Sequence, residues 1–301
     1  MLGISTCWWH NRVGRGEDII DDINRLGLQG VELEYRITEK IFSQIKHGGI
    51  SSLNVLSVHN FFPKPEIPEI QKGSGDLFLL SSRDEEERNR AVHYSIRTLD
   101  HAQEMGAGAV VLHLGRVEMQ NTSLELLQHT RNHDRTAADL QSFIADQRVI
   151  RKLRGPRNFD AVLKSLEKLN REAEKRGIFL AVENRYHFHE IPDFKETGMI
   201  LKTFSGGAIR YWHDVGHAAA QEKLGIVRQS QWLEAYSENM IGVHIHDARG
   251  IDDHYAPGQG DIPFKDMMPH IMKVPNIILE VHPKVSRQDL VEGIQLIKGM
   301  L

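Results

Sequence analysis

The sequence predicts one α/β domain, residues 1–301, folded as a single (β/α)8 TIM barrel with a helical insertion between the fourth and fifth strands. Eight short apolar runs rich in β-branched residues recur along the chain, and amphipathic charged segments separate them. Regular strand–helix alternation indicates a parallel sheet, and eight such units favour a closed barrel over an open doubly wound sheet.

The predicted strands have the short length that is typical of buried parallel strands. They cover residues 2–6, 30–34, 54–60, 109–115, 178–184, 208–214, 241–247 and 276–282. Amphipathic helices are predicted between them, for example at 16–27 and 88–106. The second of these helices ends at Gly106, where a C-cap glycine belongs.

The connection between the fourth and fifth strands is much longer than one crossover helix needs. Its pattern predicts two or three helices, with a break at Pro156, which follows Gly155. We therefore expect an insertion, roughly residues 117–160, beside the mouth of the barrel and not a second domain.

The composition gives no global field that would attract nucleic acid or an anionic membrane. The chain has 37 Lys and Arg against 41 Asp and Glu, a formal net charge of −4. The N-terminus lacks the basic and apolar regions of a signal peptide, and no apolar run is long enough to cross a bilayer. One cysteine, Cys7, excludes an intrachain disulfide and fits a reducing compartment, so we expect a cytoplasmic protein.

Ionisable side chains lie at the ends of six successive predicted strands. They are His59, His113, Glu183, Asp214, the pair His244 and His246, and Glu280. In a parallel barrel the carboxyl ends of the strands form one face, where active sites lie. A single strand-end histidine is more often a satisfied core group, but six strands in succession predict one shared site.

Mixed imidazoles and carboxylates at one site indicate a divalent cation, because carboxylates alone would repel one another. Nitrogen and oxygen ligands without thiolate favour Zn²⁺ or Mn²⁺, with Co²⁺ or Fe²⁺ as further candidates, over Mg²⁺ or Ca²⁺. Strand alternation places His244 and His246 on the same face, so periodicity leaves open which of the two binds the metal.

Four motifs at these strand ends resemble the xylose isomerase-like TIM barrels, a superfamily that includes sugar-phosphate isomerases and epimerases and endonuclease IV. The motifs are VENR, DVGHA, HIHD and LEVH, at the ends of the fifth to eighth strands. The resemblance extends over nearly the whole chain, from GVELE to LEVH. Its D-x-x-H and H-x-x-D elements are specific for the superfamily but not for one activity.

The resemblance to ketose epimerases of this group implies one metal ion held by Glu183, Asp214, His244 and Glu280. The H-x-x-D element favours His244 if its fourth position is Asp247, and His246 is the substitute. The same resemblance implies that Glu183 and Glu280 are the catalytic acid/base pair. Proton transfer would then pass through a metal-stabilised enediolate.

Further residues near the strand ends are candidates for substrate binding. The position matching His217 contacts substrate in the ketose epimerases. Arg249, just past the seventh strand, has forked donors suited to a phosphate or a hydroxyl. The predicted substrate-binding set is His59, His113, His217, Arg249 and His254.

The segment DDHYAPGQG, residues 252–260, allows an alternative function, because in endonuclease IV a D-x-H pair and a glycine-rich turn complete a trinuclear zinc site. The resemblance then implies a metal-dependent phosphodiesterase whose ligands are His59, His113, Glu183, Asp214, His217, His244, Asp252, His254 and Glu280. Two observations favour the isomerase: the turn resembles that of sugar isomerase members, and the chain is net acidic without a known DNA-binding motif. The basic cluster RVIRKLRGPR in the insertion is expected to be a solvated helix end.

The favoured prediction is therefore a divalent-metal-dependent sugar or sugar-phosphate isomerase or epimerase, with a small carbohydrate as its substrate. Nucleic acid is a partner only under the alternative function, and no membrane partner is expected. A barrel that binds metal or sugar without turnover is the third alternative. A homo-oligomer is compatible with this class of protein, and the loops that select the substrate cannot be assigned from the fold.

Overall fold

A computed structural model describes residues 1–131 and 136–301, and its central feature is a closed barrel of eight parallel strands. The barrel strands are β1 (Leu2–Ser5), β2 (Gly30–Leu33), β3 (Asn54–His59), β4 (Ala109–Leu112), β5 (Phe179–Glu183), β6 (Ile209–Asp214), β7 (Met240–Ile245) and β10 (Asn276–Leu279). They follow one another around the barrel in chain order, and β10 closes it against β1. The predicted fold class is confirmed, and each predicted run contains one barrel strand.

Ten α-helices lie in the described part of the chain. They are α1 (Gly16–Arg25), α2 (Glu39–His47), α3 (Glu85–Glu104), α4 (Ser123–Arg131), α5 (Ala137–Arg176), α6 (Phe194–Thr203), α7 (Val215–Lys223), α8 (Gln229–Tyr236), α9 (Phe264–Ile271) and α10 (Arg287–Lys298). The helices predicted at 16–27 and 88–106 correspond to α1 and α3. Helix α3 begins earlier than predicted because the Asp84 side chain caps it, accepting a hydrogen bond from the backbone N–H of Glu86.

Helices α4 and α5 fill the long connection between β4 and β5, which confirms the helical insertion. Residues 132–135 of the predicted insertion lie outside the described residues.

The predicted break at Pro156 is wrong, because α5 is one helix of 40 residues and Pro156 lies inside it. Contacts on both sides of the proline hold the helix. Arg151 pairs with Glu196 at 2.6 Å, and Asn158 donates to the carbonyl of Ser81 at 3.0 Å. Tertiary packing thus outweighs the local cost of a proline.

The strand predicted at 241–247 divides into two in the structure. Strand β7 ends at Ile245, and the chain then forms a two-stranded antiparallel hairpin from β8 (Asp247–Arg249) and β9 (Asp252–Tyr255). Asp247 fixes this segment, because its buried carboxylate accepts the backbone N–H groups of Gly258 and Gly260 at 2.9 Å and of Ile262 at 3.0 Å. The hairpin therefore follows directly from the carboxyl end of β7, beside the predicted site.

The amino-terminal half of the barrel interior is an apolar core. Ala109, Val111, Ala181, Trp212 and Ile278 are fully buried there and contact one another. The ring of Trp212 lies against the backbone of Gly242, where a Cβ atom would be only 2.0 Å from the indole. Its centroid is also 5.1 Å from that of His244. Trp212 therefore forms an apolar floor beneath the polar carboxyl ends of the strands.

The part of the chain that the structure describes contains no helix with both the length and the apolar character needed to cross a bilayer.

Candidate metal centre

The carboxyl ends of the barrel strands carry the buried polar side chains that the sequence singles out. His59, Glu183 and Asp214 are the last residues of β3, β5 and β6, and His244 is the last but one of β7. His113 and Glu280 follow β4 and β10 by one residue. Because parallel strands end at one face of a barrel, these side chains converge.

Four of these residues surround one point in the barrel mouth. Glu183, Asp214, His244 and Glu280 are all buried, and each offers a ligand atom within 4.8 Å of the other three. His244 Nδ1 lies 2.7 Å from Glu183 Oε1, 3.2 Å from Glu280 Oε2 and 3.8 Å from Asp214 Oδ2. These three buried carboxylates and one imidazole could hold a metal ion, and the donor set suits Zn²⁺, Mn²⁺, Co²⁺ or Fe²⁺.

A fourth carboxylate orients the ring of His244. Glu32, fully buried on β2, has its Oε2 3.0 Å from His244 Nε2, and the same oxygen accepts the Ser57 hydroxyl at 2.7 Å. With a metal ion bound, a proton on Nε2 that is donated to Glu32 would leave the lone pair of Nδ1 for the ion; without an ion, Nδ1 donates to Glu183. Histidine ligands of metals commonly donate their other nitrogen to a carboxylate in this way.

Three neighbours fix the carboxylate of Glu183. Burial alone would raise the pKa of Glu183, but hydrogen bonds from His113 and His244 and the charge of Arg185 outweigh burial and hold this pKa well below its usual range. Arg185 Nη1 lies 2.6 Å from Glu183 Oε2, and its Nη2 donates to Glu190 at 2.7 Å. Glu183 is thus held as a carboxylate.

His246 contacts Asp214 and not the centre of the four-residue group. Its Nδ1 accepts the backbone N–H of His254 at 2.9 Å, so its proton is on Nε2, which lies 3.0 Å from both oxygens of Asp214. Neither nitrogen then has a free lone pair for a metal. This geometry favours His244 over His246 as the ligand and makes His246 a residue that orients Asp214.

A second cluster consists of His59, His113 and Glu183, whose donor atoms also lie within 4.8 Å of one another. The Arg185 guanidinium enters this cluster, with its Nη1 2.7 Å from His113 Nε2. The same His113 Nε2 lies 3.0 Å from Glu183 Oε2, and its Nδ1 lies 3.2 Å from Asp76 Oδ2. A fixed cation of the protein already neutralises this cluster.

His59 remains a neutral imidazole at the edge of this second cluster. Its Nδ1 donates to the carbonyl of Asn60 at 3.0 Å. Burial, followed by the charge of His113, lowers the pKa of His59 to about 4. Its Nε2 is therefore an acceptor, which suits contact with a hydroxyl group.

The hairpin brings further predicted residues to the mouth. His254 Nε2 lies 3.5 Å from Glu280 Oε2, and its Nδ1 donates to Asp253 at 2.9 Å. His217 donates from Nδ1 to the carbonyl of Asn184 at 2.9 Å, and its Nε2 lies 3.7 Å from Asp253. Asp253 therefore lies between the two histidines, whereas the predicted ligand Asp252 accepts from the Tyr255 hydroxyl at 3.0 Å.

Arg249 lies exposed on the hairpin. It donates to the carbonyl of Gln259 at 2.6 Å, and its guanidinium covers the Tyr255 ring at 4.6 Å. These contacts use one donor and one face of the Arg249 guanidinium. Substrate binding by Arg249 therefore stays a prediction.

Besides Arg185, four residues of the site lie outside the predicted set: Glu32, Asp76, Glu190 and Asp253. Only Glu32 had a signal in the sequence, since it is a charged residue inside a run otherwise typical of a buried strand. The other three lie on loops or on the hairpin, where no periodicity indicates which way a side chain points.

Comparisons with known proteins agree with this architecture. The sequence profile of a family described as xylose isomerase-like TIM barrel matches residues 20–299. No curated protein matches the chain.

Several solved structures share the fold at low sequence identity. A D-tagatose 3-epimerase-like protein has 17% identity and a TM-score of 0.68, with 99% of this chain and 96% of that chain covered. D-psicose 3-epimerase from Clostridium cellulolyticum H10 has 12% identity and a TM-score of 0.69, covering 100% and 99%. The IOLI protein with a bound zinc atom has 14% identity and a TM-score of 0.67, covering 99% and 95%. At these identities the similarities establish the fold, and the activity has to be argued from the site.

Proposed function

The chain belongs to the xylose isomerase-like TIM-barrel family, and from this premise we propose that it is a divalent-metal-dependent isomerase or epimerase of a small carbohydrate. The observation that carries the proposal is the convergence of Glu183, Asp214, His244 and Glu280 within 4.8 Å of one another, with Glu32 behind the histidine. Solved relatives of the same fold that are named as sugar epimerases, and one with bound zinc, support it.

These four residues would hold the ion. A bound divalent cation polarises a carbonyl and stabilises the negative charge that develops on the substrate oxygens when a neighbouring proton is removed. Buried carboxylates with fixed orientation are well suited to hold such an ion, because they cannot turn away toward water.

Glu183 and Glu280 are the proposed pair for proton transfer. They come from β5 and from the end of β10, and both carboxylates contact His244 Nδ1, at 2.7 Å and 3.2 Å. A substrate carbon between two carboxylates can lose a proton to one and regain a proton from the other. His59, His113, His217 and His254 stand around this point as candidates for contact with substrate hydroxyls, and Arg249 is a more distant candidate on the hairpin.

The phosphodiesterase remains the second candidate because of the His59–His113–Glu183 cluster. A trinuclear site needs a metal ion in that cluster, where Arg185 already contacts both Glu183 and His113. A guanidinium and a divalent cation compete for the same carboxylate and imidazole. The position of Arg185 therefore favours a mononuclear centre and the isomerase.

Solvent exchange tests this proposal. Protein loaded with Mn²⁺ or Zn²⁺ is incubated in D₂O with a panel of ketoses and ketose phosphates, and deuterium at the carbon next to the carbonyl is followed by NMR. We expect exchange with the wild type, its loss in Glu183→Gln and Glu280→Gln, and no change in the surface control Glu292→Gln. Incision of an abasic-site duplex by the same protein, without exchange into any ketose, would contradict the proposal.

A further inference from the structure

The barrel mouth opens into a cavity of about 590 Å³, which is within the usual range of about 300–1,000 Å³ for small-molecule sites. The loops that follow β1, β2, β3 and β10 form its walls. Glu280 and His254 line it, so the cavity reaches the proposed metal centre. A substrate held at that centre would extend into this space.

The cavity concentrates positive charge in a chain that is net acidic. Arg36, Lys64 and Lys72 line it, and Glu280 is the one carboxylate among the described residues of its wall. Glu280 belongs to the proposed metal centre and is therefore not available to balance these cations. The formal charge of the whole chain is −4, so the average composition does not account for this cluster.

The fold holds Arg36 in place without neutralising it fully. Arg36 Nε lies 3.2 Å from Glu34, and its Nη2 donates to the Tyr35 hydroxyl at 2.8 Å. Burial, partly offset by Arg36, raises the pKa of Glu34 to about 7. Arg36 thus has one carboxyl partner, whereas Lys64 and Lys72 have no ion pair among the described residues.

Contacts between two loops position the lysines. The backbone N–H of Lys64 donates to Ile37 at 2.7 Å, and the Lys64 ammonium donates to the carbonyl of Ile70 at 3.0 Å, which leaves further donors free. Gly73 lies so close to Tyr35 that a Cβ atom would be 2.3 Å from the carbonyl oxygen. This close approach brings the adjacent Lys72 to the cavity wall beside Arg36.

The charge of these groups reaches across the cavity to His10, which lines the same space. Burial lowers the pKa of His10, and the positive charges of Arg36 and Lys72 lower it further. The cavity thus has a positive potential on more than one wall.

We propose that the carbohydrate substrate carries an anionic group, a phosphate or a carboxylate, and that Arg36, Lys64 and Lys72 bind it while the rest of the sugar reaches the metal centre. This inference rests on the proposed function, whose substrate it narrows to an acidic sugar. Guanidinium and ammonium groups are the usual partners of both oxyanions. A neutral sugar would leave Lys64 and Lys72 without a carboxylate partner among the described residues of the cavity.

Binding calorimetry on the metal-loaded protein tests this proposal. The ligands are a ketohexose, its 6-phosphate and the ketohexuronate, which differ mainly in the terminal group. We expect at least one anionic ligand to bind tenfold or more tightly than the neutral sugar. The double variant Lys64→Met, Lys72→Met should lose this preference and keep its affinity for the neutral sugar.

Lys273→Met is the matched control, because Lys273 is exposed in the turn before β10, at the opposite end of the barrel. It should behave as the wild type, and circular dichroism should show the same fold for all variants. Preference for the 6-phosphate identifies a phosphate site, and preference for the ketohexuronate identifies a carboxylate site.

Equal affinity for neutral and anionic sugars would overturn the proposal, as would a preference that survives in the double variant or an absence of binding by both anions. The exchange assay separates this result from the proposed function. Exchange into neutral ketoses without anionic preference refutes the anion site alone. Anion binding that depends on Lys64 and Lys72, without exchange into any sugar, refutes the isomerase alone.

Discussion

At the scale of single residues, His244 has a carboxylate on each side of its ring. Glu32 lies 3.0 Å from Nε2 and Glu183 lies 2.7 Å from Nδ1. A proton on the Glu32 side directs the Nδ1 lone pair into the four-residue group, so Glu32 decides which nitrogen is available to a metal.

Replacing the acceptor of His244 should weaken metal binding while the fold stays intact. We expect Glu32→Gln to lower metal affinity by about 10–100-fold, because the amide no longer favours the ligand tautomer. Competition against a chromophoric chelator measures this affinity. Glu34→Gln, a buried carboxyl near the end of the same strand that pairs with Arg36, is the matched control. Equal affinity of Glu32→Gln and the wild type would contradict the assigned orientation of His244.

Arg185 is the residue that separates the two candidate functions. Its guanidinium contacts Glu183 at 2.6 Å and His113 at 2.7 Å and so occupies the place where an additional metal ion would bind. Its charge is balanced by Glu190 at 2.7 Å.

Removing this guanidinium should therefore create a second metal site. We expect the wild type to bind one divalent ion per chain, and Arg185→Met to bind a second, weaker ion at His59, His113 and Glu183. Equilibrium dialysis followed by elemental analysis gives the stoichiometry. Arg83→Met, which removes an exposed guanidinium paired with Glu118, should leave it unchanged. Two or more ions in the wild type would contradict this role of Arg185.

The convergence of polar side chains at the barrel mouth could be predicted because strand ends can be located from hydrophobic patterns, and parallel strands end at one face. Contacts across the barrel have no such pattern. Asp76 reaches His113 from a loop, and Asp253 lies on a hairpin that was not predicted. The choice between Asp252 and Asp253 depends on hairpin register, which the composition of the turn does not specify.

At the scale of elements, the difference between sequence and structure is clearest in α5. Gly155 and Pro156 are strong breakers locally, and they predicted an end to the helix. The structure continues because side chains on both sides of Pro156 are anchored to other parts of the protein. Arg151, from the basic cluster expected to be solvated, is one of these anchors and is buried against Glu196, whereas the other four basic residues of that cluster are exposed.

The far end of the same helix offers a test of its local geometry. Gly177 follows α5 with a φ of +66°, whereas Gly108 has an ordinary φ, and at both positions an added Cβ atom would meet no other atom within 4 Å. We expect Gly177→Ala to lower the free energy of unfolding by about 1 kcal/mol, since only the left-handed backbone is strained. Gly108→Ala should be neutral or stabilise by up to about 1 kcal/mol. Equal stability of the two variants in urea titrations would contradict this difference.

At the scale of the whole molecule, the proposed metal centre links distant parts of the chain. Its four proposed ligands come from β5, β6, β7 and the end of β10, and Glu32 adds β2. Without a metal ion, neighbouring imidazoles and Arg185 balance the three carboxylates. Metal binding should therefore stabilise the barrel as a unit, since the unfolded chain does not present this site.

Removal of metal should lower thermal stability. When free metal exceeds its dissociation constant by about 100-fold, binding adds about 2.7 kcal/mol to the free energy of unfolding. We expect a chelator to lower the melting temperature, and added Mn²⁺ or Zn²⁺ to restore it. Asp214→Asn should melt near the chelated wild type and respond little to metal. A melting temperature that is independent of chelator and metal would contradict the coupling.

The barrel itself could be predicted because the alternation of strands and helices involves many residues along the whole chain. One misplaced strand boundary does not change the number of strands. The hairpin after β7 could not, because its strands DAR and DDHY are mostly polar and show no hydrophobic pattern.

The central claim is that Glu183, Asp214, His244 and Glu280 together hold one divalent ion. Anomalous diffraction from crystals grown with Mn²⁺ or Zn²⁺ tests it most directly. We predict one strong peak per chain, within coordinating distance of all four residues and on the Nδ1 side of His244. A peak elsewhere, or three peaks that include the His59–His113–Glu183 cluster, would contradict the claim.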